Sequence, residues 1–308
     1  MKRKKILVTG GSGMVGSFLK DIMPDATYIS SKNCNLTNQE GVEKMFNHIR
    51  PDVVVHLAAR VGGITDNITY PAEYFDENIM MNTFVLRAAK SVGVTQFIGI
   101  LSTCVYPDVL SEEHYPLKEE YLHLGPPAPT NFSYGYAKRA LAVQIDSYNK
   151  QYGTNYNYLI PSNLFGEYDK FDDNSSHYVA ALVKKIYNAK KNGDDTIKLM
   201  GTGRPIRQFC YSMDLARIIK YCIENNITEN LNIAGSEAYT IKEIAEIALR
   251  ACDAQNLSLD FDSTKPDGQY RKDVSNKKML SVMPEFEFTP LEEGIKRTYK
   301  KAIELNRF

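Results

Sequence analysis

An α/β fold built on a parallel sheet with helices on both faces is what this sequence predicts, and three observations predict it. Short runs of β-branched and apolar residues alternate with longer amphipathic stretches through the first half of the chain. Those short runs are almost continuously apolar rather than alternating, as strands buried on both faces must be. The first run passes directly into a glycine-rich turn that opens a helical pattern. Together they describe a Rossmann-type, doubly wound parallel sheet followed by a smaller C-terminal α/β lobe.

Strands are expected at residues 5–9, 27–30, 53–57, 96–101 and 156–161, because each is a short β-branched or aromatic run bounded by Gly, Pro, Asn, Asp or Ser. Helices are expected between them at 14–23, 39–49, 71–91 and 134–152, where apolar residues recur at helical spacing. After Asn163 the pattern loosens. A helix at 177–191, a short strand at 197–200, a returning helix at 212–225, and helices at 240–252 and 290–304 follow. The expected division is a nucleotide-binding unit at 1–164, rejoined by 206–232, and a second lobe made of 165–205 and 233–308. Residues 108–129, rich in proline, form the longest irregular stretch, and loops of that length are often functional.

The 308 residues carry 37 basic and 37 acidic side chains, so no net field draws the chain to nucleic acid or to an anionic membrane. No apolar run approaches the roughly 20 residues that span a bilayer. The basic start leads at once into a strand and a glycine turn rather than a secretory leader, and a cytoplasmic location is expected. Five cysteines, an odd number without a CxxC pair, signal neither a disulfide framework nor a zinc cluster, and no metal is expected. Cys34, Cys210, Cys222 and Cys252 are read as small buried apolar groups; Cys104 is considered below.

Gly10-Gly11-Ser12-Gly13-Met14-Val15-Gly16 places glycines three apart between strand and helix. Glycines there permit a tight turn and let backbone approach a pyrophosphate, and the helix N-terminus supplies unpaired N–H donors. The end of the second strand reads Ser30-Ser31-Lys32-Asn33, without the carboxylate that would bind a ribose 2′-OH and repel a 2′-phosphate. Ser31 and Lys32 suit the phosphate of NADP better than NAD, the bland alternative being a solvated loop lysine.

Tyr134-Gly135-Tyr136-Ala137-Lys138 gives a YxxxK pair at the start of a helical pattern, and residues four apart share a helix face. An ammonium near a phenol favours the phenolate and makes it a usable proton donor and acceptor. Among 20 tyrosines such a pair is weak by itself, but this one follows Ser102-Thr103-Cys104 at the end of the fourth strand, where doubly wound sheets bind ligands. Ser102 can polarise a reacting oxygen beside Tyr134, with Thr103 the competing hydroxyl; Tyr136, the competing phenol, has no lysine four residues on. A thiolate at Cys104 and an imidazole at His177 can remove and return protons beside a ketone. Read alone, Cys104 is more readily a buried strand-end thiol than a base, and His177 is equally a helix-start residue.

These segments, together with His56-Leu57-Ala58-Ala59, Val61-Gly62-Gly63, Pro161-Ser162-Asn163-Leu164, Arg207-Gln208-Phe209 and Lys265-Pro266-Asp267-Gly268, resemble the extended short-chain dehydrogenase/reductases and, among them, the GDP-L-fucose synthase family over essentially the whole length. The resemblance implies GDP-4-keto-6-deoxy-D-mannose as substrate, epimerised at C3 and C5 and then reduced at C4 by NADPH. It implies Cys104 as epimerisation base, His177 as acid, Tyr134 as proton donor to the C4 oxygen, Lys138 on the nicotinamide ribose and Ser102 on the carbonyl. Leu57, Ala58, Ala59, Pro161, Asn163 and Leu164 are implied around the cofactor, and Asn163, His177, Lys185, Arg207 and Asp267 around the GDP-sugar. A homodimer paired through the helices at 71–91 and 134–152 is implied as well. Two departures stand out: Met200 replaces a common tryptophan, and Lys185 stands where some members have arginine. The rivals are a 4-epimerase of the same fold that reduces and reoxidises tightly held NAD, and a non-catalytic NADP-binding protein.

Overall fold

The computed structural model describes residues 4–172, 176–235, 237–265 and 267–308. Strand and helix alternate from the start: β1 (Ile6–Thr9), α1 (Met14–Ile22), β2 (Thr27–Ile29), α2 (Gln39–Ile49), β3 (Val53–His56), α3 (Ile64–Thr69), α4 (Pro71–Ser91), β4 (Gln96–Ile100), α5 (Phe132–Tyr152) and β5 (Tyr156–Pro161). The remainder runs β6 (Asn163–Phe165), α6 (Tyr178–Asn192), β7 (Thr196–Met200), β8 (Ile206–Arg207), β9 (Phe209–Tyr211), α7 (Ser212–Glu224), β10 (Leu231–Ile233), β11 (Tyr239–Thr240), α8 (Ile241–Ala251), β12 (Ser258–Asp262), α9 (Lys277–Val282) and α10 (Leu291–Glu304).

Six strands form one parallel sheet in the order β10-β5-β4-β3-β1-β2. Neighbouring residues of each strand point to opposite faces, so every strand feeds two cores. Leu7, Val54 and Phe97 face α2, α4 and α5, packing with Val85, Leu86, Leu141 and Ile145. Val8, Val55 and Ile98 face the other way, toward α1 and α7, and join Phe18, Leu19, Leu215 and Ile219. That second core runs on without a break into α6, α8 and α10, where Val183, Ile186, Ala248 and Ile295 are buried. Helices α6, α8 and α10 are thereby joined to one face of the sheet by apolar burial.

Local signals place several boundaries. Asn38 caps α2, accepting from the Gly41 amide, and Pro71 occupies the first turn of α4. Thr240 and Glu243 form a reciprocal capping box that starts α8. The sheet is one strand wider than the sequence reading expected, because β10 pairs with β5 through Leu231–Leu159 and Ile233–Pro161. The proline-rich segment is also not loose. It winds through short 3₁₀ turns, buries Leu117 and Leu122, and clasps the chain near Val274 through Leu117 N–H to the Asp273 carbonyl and Ser275 N–H to the Leu117 carbonyl.

Candidate active site

β1 is flanked by β2 on one side and β3 on the other, so the chain leaves β1 in one direction and returns in the other. The carboxyl ends of β1 and β3 therefore form the switch point where open α/β sheets bind ligands. Gly10 sits there with φ +69°, and a β-carbon on it would lie 2.8 Å from the Ala58 amide nitrogen. A β-carbon on Gly16 would lie 2.7 Å from the Gly10 carbonyl oxygen. Gly13 is the N-cap of α1 and contributes no side-chain cap, which leaves the first-turn amides of Met14 and Val15 for another acceptor. Backbone held this closely around a bare helix N-terminus fits a pyrophosphate.

At the end of β2, Ser30 and Asn33 close a turn through Ser30 N–H and Oγ to Asn33 Oδ1, at 2.9 and 2.8 Å. Ser31 and Lys32 at its tip are exposed, and no carboxylate shares the turn. This donor set fits an adenosine 2′-phosphate. Leu57, Ala58 and Ala59, half-buried, follow β3, and Thr9 Oγ1 accepts from Ala58 N–H at 3.3 Å. Pro161 ends β5; Asn163 and Leu164 in β6 lie beside the Gln208 and Cys210 backbone, with Asn163 Nδ2 donating to the Gln208 carbonyl at 2.9 Å.

The chain leaves β4 into a 3₁₀ turn, Thr103–Val105, whose N-cap is Ser102; its Oγ accepts from Cys104 N–H at 3.3 Å. Thr103 is buried and Cys104 half-buried. The start of α5 packs directly on this turn, and Gly135 makes that possible, since a β-carbon there would meet the Cys104 carbonyl at 2.6 Å. Arg139 adds a clasp, donating from Nε to the Val105 carbonyl at 2.9 Å. Tyr136 points elsewhere, stacking with Phe132 and Arg139.

Tyr134 is buried, edge-on to Tyr74, and burial together with the nearby Cys104 and Tyr74 drives its phenol well above the ordinary value. Lys138 Nζ donates to the Ile100 carbonyl at 2.7 Å, and burial pulls it down to about 8. The expected easily ionised phenol is thus absent from the protein alone. Desolvation dominates, and Tyr134 is held as a neutral proton donor.

Cys104 is the centre of a cluster that the sequence reading did not foresee. Asn131 Nδ2 lies 2.8 Å from its sulfur and Lys272 Nζ 3.1 Å. Burial pushes this thiol up, but the Lys272 ammonium, the hydrogen bond of Ser102 and the charge of Arg207 overcome it, and the net shift is downward. Lys272 reaches the site because Leu117 and Val274 bridge and Arg271 pairs with Glu112 and Asp273 on either side of it. The only sequence signal for Lys272 was its place a few residues beyond Asp267-Gly268.

His177 is the N-cap of α6, and its Nδ1 lies 2.9 Å from Asp169 Oδ1. Among the described residues no hydrogen bond or ion pair joins it to Cys104. Arg207 donates to the Gln269 and Ile206 carbonyls at 2.5 and 2.8 Å, and Asp267 accepts from Thr202 N–H and Oγ1 at 2.6 and 2.7 Å. Exposed Lys185 donates to the Lys198 carbonyl at 2.8 Å. Met200, at the end of β7, is also exposed. Pro266, part of the Lys265-Pro266-Asp267-Gly268 motif, lies outside the described residues.

Cys210, Cys222 and Cys252 are buried as expected, but Cys34 is only half-buried, because it lies in the exposed segment after β2 rather than in a strand or helix of the core. No described helix is long and apolar enough to cross a membrane.

A phenol and lysine one helical turn apart, on a helix packed against the turn after β4, in a sheet that carries a glycine turn at its switch point, mark nucleotide-dependent oxidoreductases and epimerases. The model of the NAD dependent epimerase/dehydratase family matches residues 6–234, and the chain belongs to that family. It is 37% identical over 313 residues to a GDP-L-fucose synthase of Dictyostelium discoideum, covering 98% of this chain and 96% of that protein. A GDP-L-colitose synthase of Yersinia pseudotuberculosis is 33% identical, with 96% of each chain covered. Among solved structures, a GDP-L-fucose synthetase of Naegleria fowleri bound to NADP superposes with a TM-score of 0.88 at 33% identity, over 99% of this chain and 96% of that one.

Proposed function

We propose that the chain converts GDP-4-keto-6-deoxy-D-mannose to GDP-L-fucose by epimerisation at C3 and C5 followed by NADPH-dependent reduction at C4. The observation that carries this reading is the Cys104 thiol, set between Lys272 and Asn131 on the turn that also presents Ser102 and packs against Tyr134. A simple hydride-transfer enzyme has no use for a poised thiol at this place. A sugar epimerised beside its ketone does.

In this reading the turn from Gly10 to Gly16, with Gly11, Ser12, Gly13, Met14 and Val15, holds the pyrophosphate of NADP(H), and Ser31 and Lys32 hold its 2′-phosphate. Leu57, Ala58, Ala59, Pro161, Asn163 and Leu164 line its path, and Lys138 binds its ribose. Bound NADPH supplies the hydride. Cys104 as thiolate takes a proton from carbon next to the ketone, where the carbonyl acidifies the C–H, and His177 returns one. Ser102 Oγ polarises the C4 oxygen, and Tyr134, held neutral by burial, donates the proton that completes reduction. Arg207 and Lys185 offer cations to the diphosphate and Asp267 an acceptor to the donor groups of the nucleotide.

The unit at 1–164 with 206–232 binds cofactor, and 165–205 with 233–308 closes on the sugar. Exposed Phe75, Val143 and Tyr152 on α4 and α5 suit pairing with a second copy, and we place the protein in the cytoplasm as a homodimer. The test is NADPH oxidation with purified protein and GDP-4-keto-6-deoxy-D-mannose, the product being identified by NMR. Stoichiometric oxidation yielding GDP-L-fucose establishes the reaction. A different product sugar, such as the GDP-L-colitose of the Yersinia protein's name, would replace the substrate. No net oxidation, with substrate and a C4 epimer interconverting, would give the reaction to a 4-epimerase.

A further inference from the structure

Asp169 lies in the turn after β6, with a side chain only 3% exposed, against a His177 side chain 43% exposed. Its Oδ1 accepts two hydrogen bonds, from His177 Nδ1 at 2.9 Å and from Lys170 N–H at 2.8 Å. Its Oδ2 is buried and has no hydrogen-bond partner among the described residues. A carboxylate taken out of water with one oxygen unpaired is costly unless a cation stands beside it, and protonated His177 is the partner in direct contact. His177 in turn is raised above the ordinary histidine value by its hydrogen bond to Asp169, against burial and the charge of Lys170. Although His177 is the N-cap residue of α6, its side chain caps no helix amide. The ring is therefore held by Asp169, and among the described residues no hydrogen bond occupies Nε2.

We propose that Asp169 is the positioning residue of the acid half of the epimerisation, fixing His177 through Nδ1 so that Nε2 delivers the proton to the sugar. The inference rests on the reaction assigned above and adds a residue to it. Cys104 as thiolate removes the proton next to the ketone, and the C–H electron pair moves to the carbonyl oxygen as an enolate. Nε2–H then protonates the opposite face of the same carbon and the pair returns. Thiol and neutral imidazole remain, the latter keeping its Nδ1 proton on Asp169, and both reset by exchanging protons with water. Nothing is oxidised or reduced.

The bland role for Asp169 is shaping its turn, since its backbone N–H also donates to the Gly166 carbonyl at 3.1 Å. Asp169→Asn separates the two, because an amide oxygen keeps both accepted hydrogen bonds and loses only the charge. The first readout needs no substrate: long-range ¹H–¹⁵N spectra of the free enzyme, which has five histidines, with His177 identified by its loss in His177→Gln. Wild type should show a His177 ring that carries a low-field proton on Nδ1 and is protonated at Nε2 as well in the acid form, and Asp169→Asn should lose that low-field signal. In D₂O with substrate and NADPH, Asp169→Asn should lower deuterium entry at C3 and C5 by about tenfold or more. Reduction should continue on sugar that keeps its starting configuration, NADPH affinity should stay within about twofold of wild type, and Asp169→Glu should recover part of the exchange. An unchanged His177 spectrum with unchanged exchange in Asp169→Asn would overturn the proposal. So would equal loss of NADPH binding and exchange in both variants, which would leave Asp169 a turn-shaping residue. If wild type shows the spectrum but does not act on this substrate, the reaction assignment fails, and with it the proton-delivery role, while the Asp169–His177 pair stands.

Discussion

Lys272 Nζ stands 3.1 Å from the sulfur of Cys104, across 168 positions of sequence. A cation at that distance stabilises thiolate over thiol, and here it more than offsets burial. Lys272→Met should raise the pH at which Cys104 becomes reactive. Alkylation by iodoacetamide, followed against pH and assigned by its loss in Cys104→Ala, should be about tenfold slower near neutrality, since less thiolate is present. An unshifted profile would show that the ammonium does not set the thiol.

Tyr134 leads to a different expectation. Burial keeps its phenol protonated far above neutral pH, so the group is available as an acid wherever the enzyme is folded. Tyr134→Phe should cut NADPH turnover by about 10²–10⁴-fold, the usual worth of a positioned proton donor, and leave NADPH binding by fluorescence within about twofold. Equal loss of binding would mean that the phenol holds the cofactor instead.

A glycine of the nucleotide turn can be set against one after α4. A β-carbon on Gly16 meets the Gly10 carbonyl and the Gly11 Cα, each at 2.7 Å, and both are backbone. Gly93, with φ +81°, has nothing within 4 Å of the same atom. Gly93→Ala should therefore cost only its left-handed conformation, about 1–2 kcal/mol in a denaturation series, with NADPH affinity unchanged. Gly16→Ala must move the turn itself, and should weaken NADPH by at least about tenfold in a direct titration. Comparable affinities for the two variants would mean that the turn tolerates displacement.

Much of this architecture was legible in the chain because its signals are local. The bounds of α2 and α4 follow from Asn38 and Pro71, and the glycine turn and the YxxxK helix announce themselves by spacing. β10 escaped because three residues, Leu231–Ile233, are too few to show any period. Asn131, Asp169 and Lys272 escaped for a deeper reason. Each is an ordinary polar residue outside the main strands and helices, and what makes it part of the site is a partner, Cys104 or His177, that only the fold brings near. The misjudged state of Tyr134 has the same origin, for spacing shows that Lys138 shares its helix face but not how dry the site is.

His56 supplies a prediction about stability. It is fully buried at the end of β3, with Nδ1 2.8 Å from Thr9 Oγ1 and Nε2 3.1 Å from Asn82 Oδ1, and Asn82 Nδ2 donates to the Ala137 carbonyl within the YxxxK helix. Burial, with the charge of Lys138, pulls the imidazole down to about 3, against the partial resistance of the Asn82 hydrogen bond. The unfolded chain titrates near 6.5, so between those values it binds a proton that the folded chain refuses. The contribution is complete above about 6.5 and drains away as pH falls toward 3, on the order of 1 kcal/mol for each pH unit. His56→Asn should lower stability at pH 7 through the loss of packing and hydrogen bonds, yet flatten the dependence on pH below 6. Urea midpoints at pH 7 and pH 5 measure both effects, and parallel losses in wild type and variant between those two values would mean that another group controls the acid limb.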